Sequence, residues 1–168
     1  PYMHSNVATE FEEIKETSDP FSKAVAKMRD MGFEAYYGKW LVTGRPKIVL
    51  LNPHSVFNKL GDIKYGLWEH HHIETPDDPL INQVVAFGFL NFIFLQTLAG
   101  KKTKDQQIIA HFHEWMAGTA IPDLRKEQIP IKTVFTTHAT ILGRYLAMND
   151  PQFYEHLAFL NWEQEARN

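Results

Sequence analysis

The segment from Asp78 to Gly100 constrains the fold of this chain more than any other. Its central run, Val84 to Leu95, is apolar around the whole circumference of a helix. A membrane-spanning helix needs roughly 20 predominantly apolar residues. Polar residues interrupt this run well before that length: Asn82, Gln83, Asn91 and Gln96. We therefore predict a helix that is buried on nearly all sides in a larger fold.

Local signals predict a helix and a hairpin upstream of this segment. Asp19 precedes a proline and can cap a helix from about Pro20 to Met31, which Gly32 would end. The stretches Phe33 to Val42 and Lys47 to Leu51 are rich in aromatic and β-branched residues and flank a glycine–proline turn. This pattern predicts two paired strands.

The second half of the chain alternates between strand and helix patterns. Apolar strands are predicted at Gln107 to Phe112 and at Ile131 to Phe135, and helices at Glu114 to about Lys126 and at Thr140 to Ala147. Such alternation is typical of an α/β fold with a parallel sheet and helices on its faces. Ligands of such sheets bind at the carboxyl ends of the strands. A histidine-bearing turn follows each of the two strands.

Composition excludes several classes of partner. The chain has 168 residues, a formal net charge of −3 and no cysteine. We expect neither nucleic acid nor a membrane as a partner, because both favour clustered basic residues. The lack of cysteine excludes disulfides and thiolate metal ligands and fits a cytoplasmic protein. No signal peptide is visible. Because the chain starts at Pro1, we expect a processed protein or a piece of a longer one.

The first of the two turns contains His111, Phe112, His113, Glu114 and Trp115. Functionally, the polar side chains would hold sugar hydroxyls against a flat aromatic wall. Structurally, the same residues would start a helix beside a core histidine. The residues alone favour the structural interpretation, because short motifs are weak evidence.

A metal site is a third interpretation of the first turn. His111, His113 and Glu114 are possible ligands of zinc or iron. No further cluster of aspartate or histidine completes the set, and we expect no metal. The histidine run at 70–72 also invites a metal interpretation, but we predict that it lies in a polar surface loop.

The second turn runs from Thr136 to Thr140 and is followed by Arg144. Threonine hydroxyls can cap the next helix, and His138 lies where strand gives way to helix. The Arg144 guanidinium suits a phosphate because its planar fork donates two parallel hydrogen bonds. A structural salt bridge is an equally good explanation of Arg144 from spacing alone.

Several segments together resemble the glycogen synthases of the fungal and animal type, which also occur in some bacteria. The most specific are Ala110 to Gly118, AHFHEWMAG, and Phe135 to Leu146, FTTHATILGRYL. Shorter matches occur at Lys39 to Leu41, Pro46 to Leu50 and Gly66 to Glu69. The resemblance covers most of the chain from about residue 33 onward.

The resemblance implies that residues 1–168 form a single, incomplete Rossmann-like domain. This domain would belong to the N-terminal half of a GT-B glycosyltransferase, with a parallel sheet and helices on both faces. The implied donor is UDP-glucose, or ADP-glucose in some bacterial synthases, and the acceptor is the non-reducing end of glycogen or another α-glucan. The implied reaction is retaining glucosyl transfer, and we expect no cofactor.

The resemblance also implies the roles of individual residues. His138, Arg144 and Glu114 would be catalytic: His138 on the glucose hydroxyls, Arg144 on the leaving phosphate, Glu114 near the transferred sugar. Further substrate contacts would come from four residues: His111, His113, Trp115 and Thr137. The family's glycine-rich loop and nucleotide-binding half have no counterpart in these residues. We therefore expect this chain alone to be inactive. For the full-length protein we expect a homo-oligomer.

Two other functions stay open at this point. One is a non-catalytic glucan-binding module that keeps the fold without the second half. The other is a metal-dependent hydrolase that uses His111, His113 and Glu114. Neither explains the second turn with Arg144.

Overall fold

The computed structural model describes residues 10–15, 18–101 and 105–167. The chain divides into two compact units, residues 1–135 and 136–168, and each unit is described by itself. The single domain expected over residues 1–168 stays a prediction.

An antiparallel sheet opens the first unit. It consists of β1 (Phe11–Glu13), β2 (Ala35–Trp40) and β3 (Lys47–Leu51), in that order. The predicted hairpin is confirmed, because β2 and β3 pair antiparallel, with Tyr37 opposite Val49.

Helix α1 (Pro20–Asp30) agrees with its sequence signals. The Asp19 carboxylate accepts a hydrogen bond from the Phe21 N–H at 2.9 Å and caps the first turn. Gly32 follows the helix with a φ of +85°, a value that glycine adopts without strain. One face of α1 enters the core through Ala24, Val25 and Met28.

Helix α2 (Leu60–His71) corrects the prediction of a polar loop at residues 70–72. His70 and His71 form its last turn, and His72 ends it in the left-handed region, with a φ of +55°. The sequence gives no clear signal for the start of this helix, because no side chain caps it. The chain enters it from a 3₁₀ helix, Pro53–Lys59, which the Asn52 side chain caps instead.

Helix α3 (Pro79–Ala99) is the core helix of the first unit. It packs against α1, α2 and the 3₁₀ helix before α2, and within it only Pro79, Leu80, Gln83 and Gln96 are exposed. Among the described residues, α3 is also the one helix that is long and apolar enough to cross a membrane. In its apolar 18-residue stretch, 44% is buried inside the protein. Length and composition alone give the same result for a core helix.

A second, parallel sheet confirms the α/β class. Strands β4 (Ile109–His113) and β5 (Lys132–Thr136) pair side by side. Between them run α4 (Glu114–Ala117), a 3₁₀ turn and α5 (Ile121–Lys126). The single helix predicted from Glu114 to Lys126 is therefore wrong. Pro122 has no N–H for the carbonyl of Gly118, so the helix breaks and restarts.

The second unit consists of short helices. They are α6 (Ile141–Asn149), α7 (Phe153–His156) and α8 (Trp162–Glu165), with a 3₁₀ turn before α8. The predicted cap of α6 is confirmed, because the Thr140 hydroxyl accepts a hydrogen bond from the Gly143 N–H at 3.0 Å.

Candidate functional site

The side chains of strand β4 alternate between a buried apolar face and an exposed face that carries two histidines. Ala110 and Phe112 are buried against α3 and α5, while His111 and His113 lie on the opposite, exposed face. The imidazole rings of these histidines lie against each other in a tilted arrangement, with centroids 4.1 Å apart and an angle of 35° between planes. Neither ring is a core histidine, so the structural interpretation of the first turn is wrong on this point. The pair presents ring nitrogens, which can donate or accept hydrogen bonds, to the surface.

Glu114 stands at the junction of β4 and α4 in a strained conformation. Its φ is +66°, a region that costs a residue with a side chain roughly 1–2 kcal/mol. Such outliers concentrate at functional sites, where surrounding packing maintains them. Directly after it, Trp115 keeps 45% of its surface exposed. In the sequence, Glu114 thus stands directly between the second histidine of the pair and an exposed tryptophan.

The turn that follows Glu114 is fixed from two sides. The Thr119 hydroxyl donates a hydrogen bond to the Val84 carbonyl of α3 at 3.3 Å. On the other side, the ring of Phe135 lies so close to Gly118 that a Cβ there would meet it at 3.0 Å. These contacts hold α4 against the core and so constrain where Glu114 lies.

The loop between β5 and α6 carries the other predicted site residues. The Thr137 hydroxyl donates to the Ala139 carbonyl at 3.0 Å, which shapes the loop around the exposed His138. Arg144 lies in the first turn of α6, and its N–H donates to the Thr140 carbonyl. Among the described residues of this unit, no carboxylate pairs with the Arg144 guanidinium. A structural salt bridge therefore finds no support within the unit.

The predicted site residues thus fall into two groups. His111, His113, Glu114 and Trp115 are consecutive or nearly so in the first unit. Thr137, His138 and Arg144 belong to the second unit. Within each group the side chains share one junction between strand and helix, as the sequence predicts. Their assigned roles stay predictions.

A groove that the sequence did not predict lies in the first unit. It has a volume of about 300 Å³ and is lined by residues of α2, α3 and α5 and by the residues that flank α2 and α5, Lys59 and Glu127. Five of its lining side chains can ionise: Lys59, Asp62, His70, Asp123 and Glu127. At its edge His71 Nε2 lies 2.8 Å from Asp123 Oδ1. These partners are 52 positions apart in the sequence. The histidine run at residues 70–72 was the one sequence feature that drew attention to this region.

The residues that the structure describes contain no group of three or more histidine, cysteine, aspartate or glutamate side chains that could hold a metal ion. Within the described residues, His111 and His113 therefore do not belong to a set of three such side chains.

Comparison with known proteins matches the chain to the glycogen synthase family model over residues 1–168. It is 37% identical over 167 residues to a "Glycogen [starch] synthase" of Neurospora crassa, covering 99% of this chain and 24% of that protein. A Dictyostelium discoideum protein of the same name is 38% identical over 168 residues, with 99% and 19% covered. The liver "Glycogen [starch] synthase" of Rattus norvegicus is 38% identical over 167 residues, with 99% and 24% covered. The chain thus spans about a quarter or less of the length of these relatives.

Proposed function

Because this chain belongs to the glycogen synthase family, we propose that its full-length protein transfers glucose from a sugar nucleotide to the non-reducing end of an α-1,4-glucan. The bond between the anomeric carbon and the phosphate breaks, a new bond to the acceptor hydroxyl forms, and the configuration is retained. The acceptor loses a proton and a nucleoside diphosphate departs. The observation that carries this proposal is the family match over the whole chain, which includes both histidine-bearing junctions.

The junction after β4 would hold the sugars. His111 and His113 present hydrogen-bonding ring nitrogens on an exposed face, and Trp115 offers a half-exposed indole. We assign sugar hydroxyls to the polar groups and a pyranose face to the ring. Glu114 would position the acceptor or donor hydroxyls. Its constrained backbone fits this role, because positioning contributes to catalysis only when the group is held in place.

The loop after β5 would serve the donor. His138 would hydrogen-bond the transferred glucose, with Thr137 as a further contact. Arg144, which has no carboxylate partner among the described residues of its unit, would stabilise the charge that grows on the leaving phosphate. Such electrostatic stabilisation is usually the largest catalytic contribution. Fixed positive charge from arginine, lysine and helix N-termini can supply it without a metal or another cofactor.

The whole enzyme would contain more than this chain. We propose a GT-B arrangement, in which this N-terminal part faces a nucleotide-binding half across a cleft. UDP-glucose is the first donor to test, and ADP-glucose is the second. We also propose a cytoplasmic homo-oligomer. Residues 1–168 alone would not transfer glucose, because the nucleotide-binding half that we propose would lie outside them.

The test is glucosyl incorporation into glycogen by the full-length protein, with either donor, for wild type and Arg144→Ala. Loss of one electrostatic group at the leaving phosphate should lower kcat about 10²- to 10³-fold. Arg144→Lys should fall between the two, because it keeps the charge and loses the bidentate fork. Arg125→Ala removes an exposed arginine on α5 and should leave the rate unchanged.

The outcomes separate the candidate functions. A wild-type protein that transfers glucose and loses transfer in Arg144→Ala supports both the reaction and the residue. A wild-type protein that binds glycogen but transfers glucose from neither donor would instead be a glucan-binding module. An Arg144→Ala variant with full activity would remove the donor role from the second junction only.

A further inference from the structure

Thr119 attaches the 3₁₀ turn Gly118–Ala120 to the core helix α3. Its hydroxyl donates a hydrogen bond to the Val84 carbonyl at 3.3 Å. A carbonyl has two lone pairs, and the helix bond of α3 uses one of them. One helical turn after Val84, Gly88 has no side chain, so Thr119 can lie against the backbone of α3. The attachment is thus both polar and steric, and it follows closely on Glu114.

The chain is fixed on both sides of Glu114, whose backbone is left-handed with a φ of +66°. Before it, Phe112 of β4 is buried, and after it Ala120 is fully buried. A residue with a side chain keeps such a φ only where the surrounding packing imposes it. If the chain after Glu114 were free to move, its φ would return to the negative values that cost less. Because Thr119 lies between Glu114 and Ala120, its attachment to α3 sets the path of the chain that leaves Glu114.

We propose that Thr119 is a positioning residue for glucosyl transfer, which acts by keeping the Glu114 backbone left-handed. This step rests on the proposed function, in which Glu114 positions hydroxyls of the acceptor or the donor. A change of φ at Glu114 turns its Cα–Cβ bond and so moves the carboxylate. A displacement of about 1 Å at a catalytic site can lower the rate about a hundredfold.

The turn has other contacts that keep it folded when the Thr119 hydroxyl is lost. Gly118 lies against the Phe135 ring, where an added Cβ would meet a ring carbon at 3.0 Å. Ala120 belongs to the buried cluster around Phe112. Removal of the hydroxyl therefore loosens the turn without unfolding it, and the effect on Glu114 can be measured.

The first experiment measures thermal unfolding of the full-length protein and needs no catalysis. Glu114→Gly and Glu114→Ala are compared in the wild-type background and together with Thr119→Val, which removes the hydroxyl and keeps a branched side chain. In the wild-type background the glycine variant should melt at the higher temperature, because glycine adopts a positive φ without strain. With Thr119→Val this difference should disappear, because a relaxed backbone no longer favours glycine.

Two variants control this comparison. Thr119→Ser keeps the hydroxyl, so the difference between glycine and alanine at position 114 should persist. Thr133→Val makes the same exchange at a half-buried threonine on β5 and should also preserve the difference. If the difference keeps its wild-type size with Thr119→Val, the proposal is overturned, because Thr119 then contributes stability without holding Glu114. Gly88→Ala, which displaces Thr119 from the other side of the contact, serves if Thr119→Val does not fold.

The second experiment measures glucosyl transfer to glycogen by the same proteins below their melting temperatures. Thr119→Val should lower kcat about tenfold and leave the KM for the sugar nucleotide unchanged, because a misplaced Glu114 weakens the transition state and not the binding of the donor. Thr119→Ser should recover most of the rate, and Thr133→Val should keep the wild-type rate. A role in stability alone would leave kcat unchanged.

The outcomes keep this proposal apart from the proposed function. Wild-type kcat in a folded Thr119→Val protein overturns the positioning role and leaves the transfer reaction intact. A wild-type protein that transfers glucose from neither donor refutes the proposed function and with it any role of Thr119 in transfer. The thermal comparison then still decides whether Thr119 holds the Glu114 backbone.

Discussion

Thr119 occupies the space that a side chain at Gly88 would need. A Cβ added to Gly88 would lie 2.7 Å from the Thr119 Cβ and still closer to its hydroxyl oxygen. Helix α3 and the turn after Glu114 therefore approach each other to within the width of a missing methyl group. Since the turn follows Glu114 by only a few residues, the core helix directly supports the first junction of the candidate site.

Gly88→Ala should destabilise the protein. The added methyl must push the Thr119 turn away from α3, and overpacking of this kind costs about 1–3 kcal/mol. Thermal unfolding of the full-length protein should show a lower melting temperature. Gly66→Ala is the control, because Gly66 is also helical and nothing lies within 4 Å of its added Cβ. That variant should be neutral or more stable, since alanine favours a helix. Equal melting temperatures for the two variants would contradict the packing argument.

Replacements of Glu114 should differ in stability but share a loss of activity. Glycine adopts a φ of +66° without strain, whereas alanine keeps the strain, so Glu114→Gly should be about 1 kcal/mol more stable than Glu114→Ala. Both variants lack the carboxylate, so we expect both to lose glucosyl transfer. The measurements are melting temperature and incorporation rate on the same preparations. Full activity in Glu114→Gly would show that this residue matters for the backbone only.

The sequence predicted local elements well where a side chain marks their start. Asp19 and Thr140 each cap a helix that begins where expected. Helix α2 was missed because the chain enters it from a 3₁₀ helix without a capping side chain. The break at Pro122 was missed because apolar spacing continues across it, although proline removes a helix hydrogen bond at that point.

The candidate site was predictable only in part, for a physical reason. The contact between His111 and His113 follows from strand alternation, because residues two apart share a face. The strain at Glu114 depends on how the Thr119 turn packs on α3, and the contact between His71 and Asp123 joins residues 52 positions apart. Such long-range contacts are set by the whole fold and leave no local pattern.

The Asp19 carboxylate should stabilise the protein at neutral pH and lose this effect at low pH. Burial raises its pKa, but hydrogen bonds from the Tyr37 hydroxyl, the Phe21 N–H and Lys47 outweigh burial, so the pKa lies below its usual value of 3.8. A lowered folded-state pKa means that stabilisation is complete above the unfolded value and is lost as the pH falls through the folded one. Asp19→Asn keeps a capping oxygen and removes the charge. Its melting temperature should fall less than that of wild type below about pH 4.

The control for this pH dependence is Asp30→Asn. Asp30 is exposed at the end of the same helix, and its replacement should leave the slope of melting temperature against pH as in wild type. Parallel slopes for wild type and Asp19→Asn would show that the network of Asp19, Tyr37 and Lys47 contributes no charge-dependent stability.

The polar face of β4 provides the last prediction. His111→Ala and His113→Ala should each lower glucosyl transfer, because the proposed sugar contacts come from this imidazole pair. A lost hydrogen bond to a bound hydroxyl corresponds to about 1 kcal/mol, or roughly a fivefold loss in kcat/KM. Ile109→Ala is the matched control, since Ile109 lies on the same face two residues earlier and is 63% exposed. It removes side-chain surface from that face without removing a hydrogen-bonding group.

If all three variants lose activity equally, the face contributes shape rather than hydrogen bonds. If only the histidine variants lose activity, the sugar contact belongs to the histidine pair. A double variant should then lose less than the product of the single losses, because the two rings contact each other.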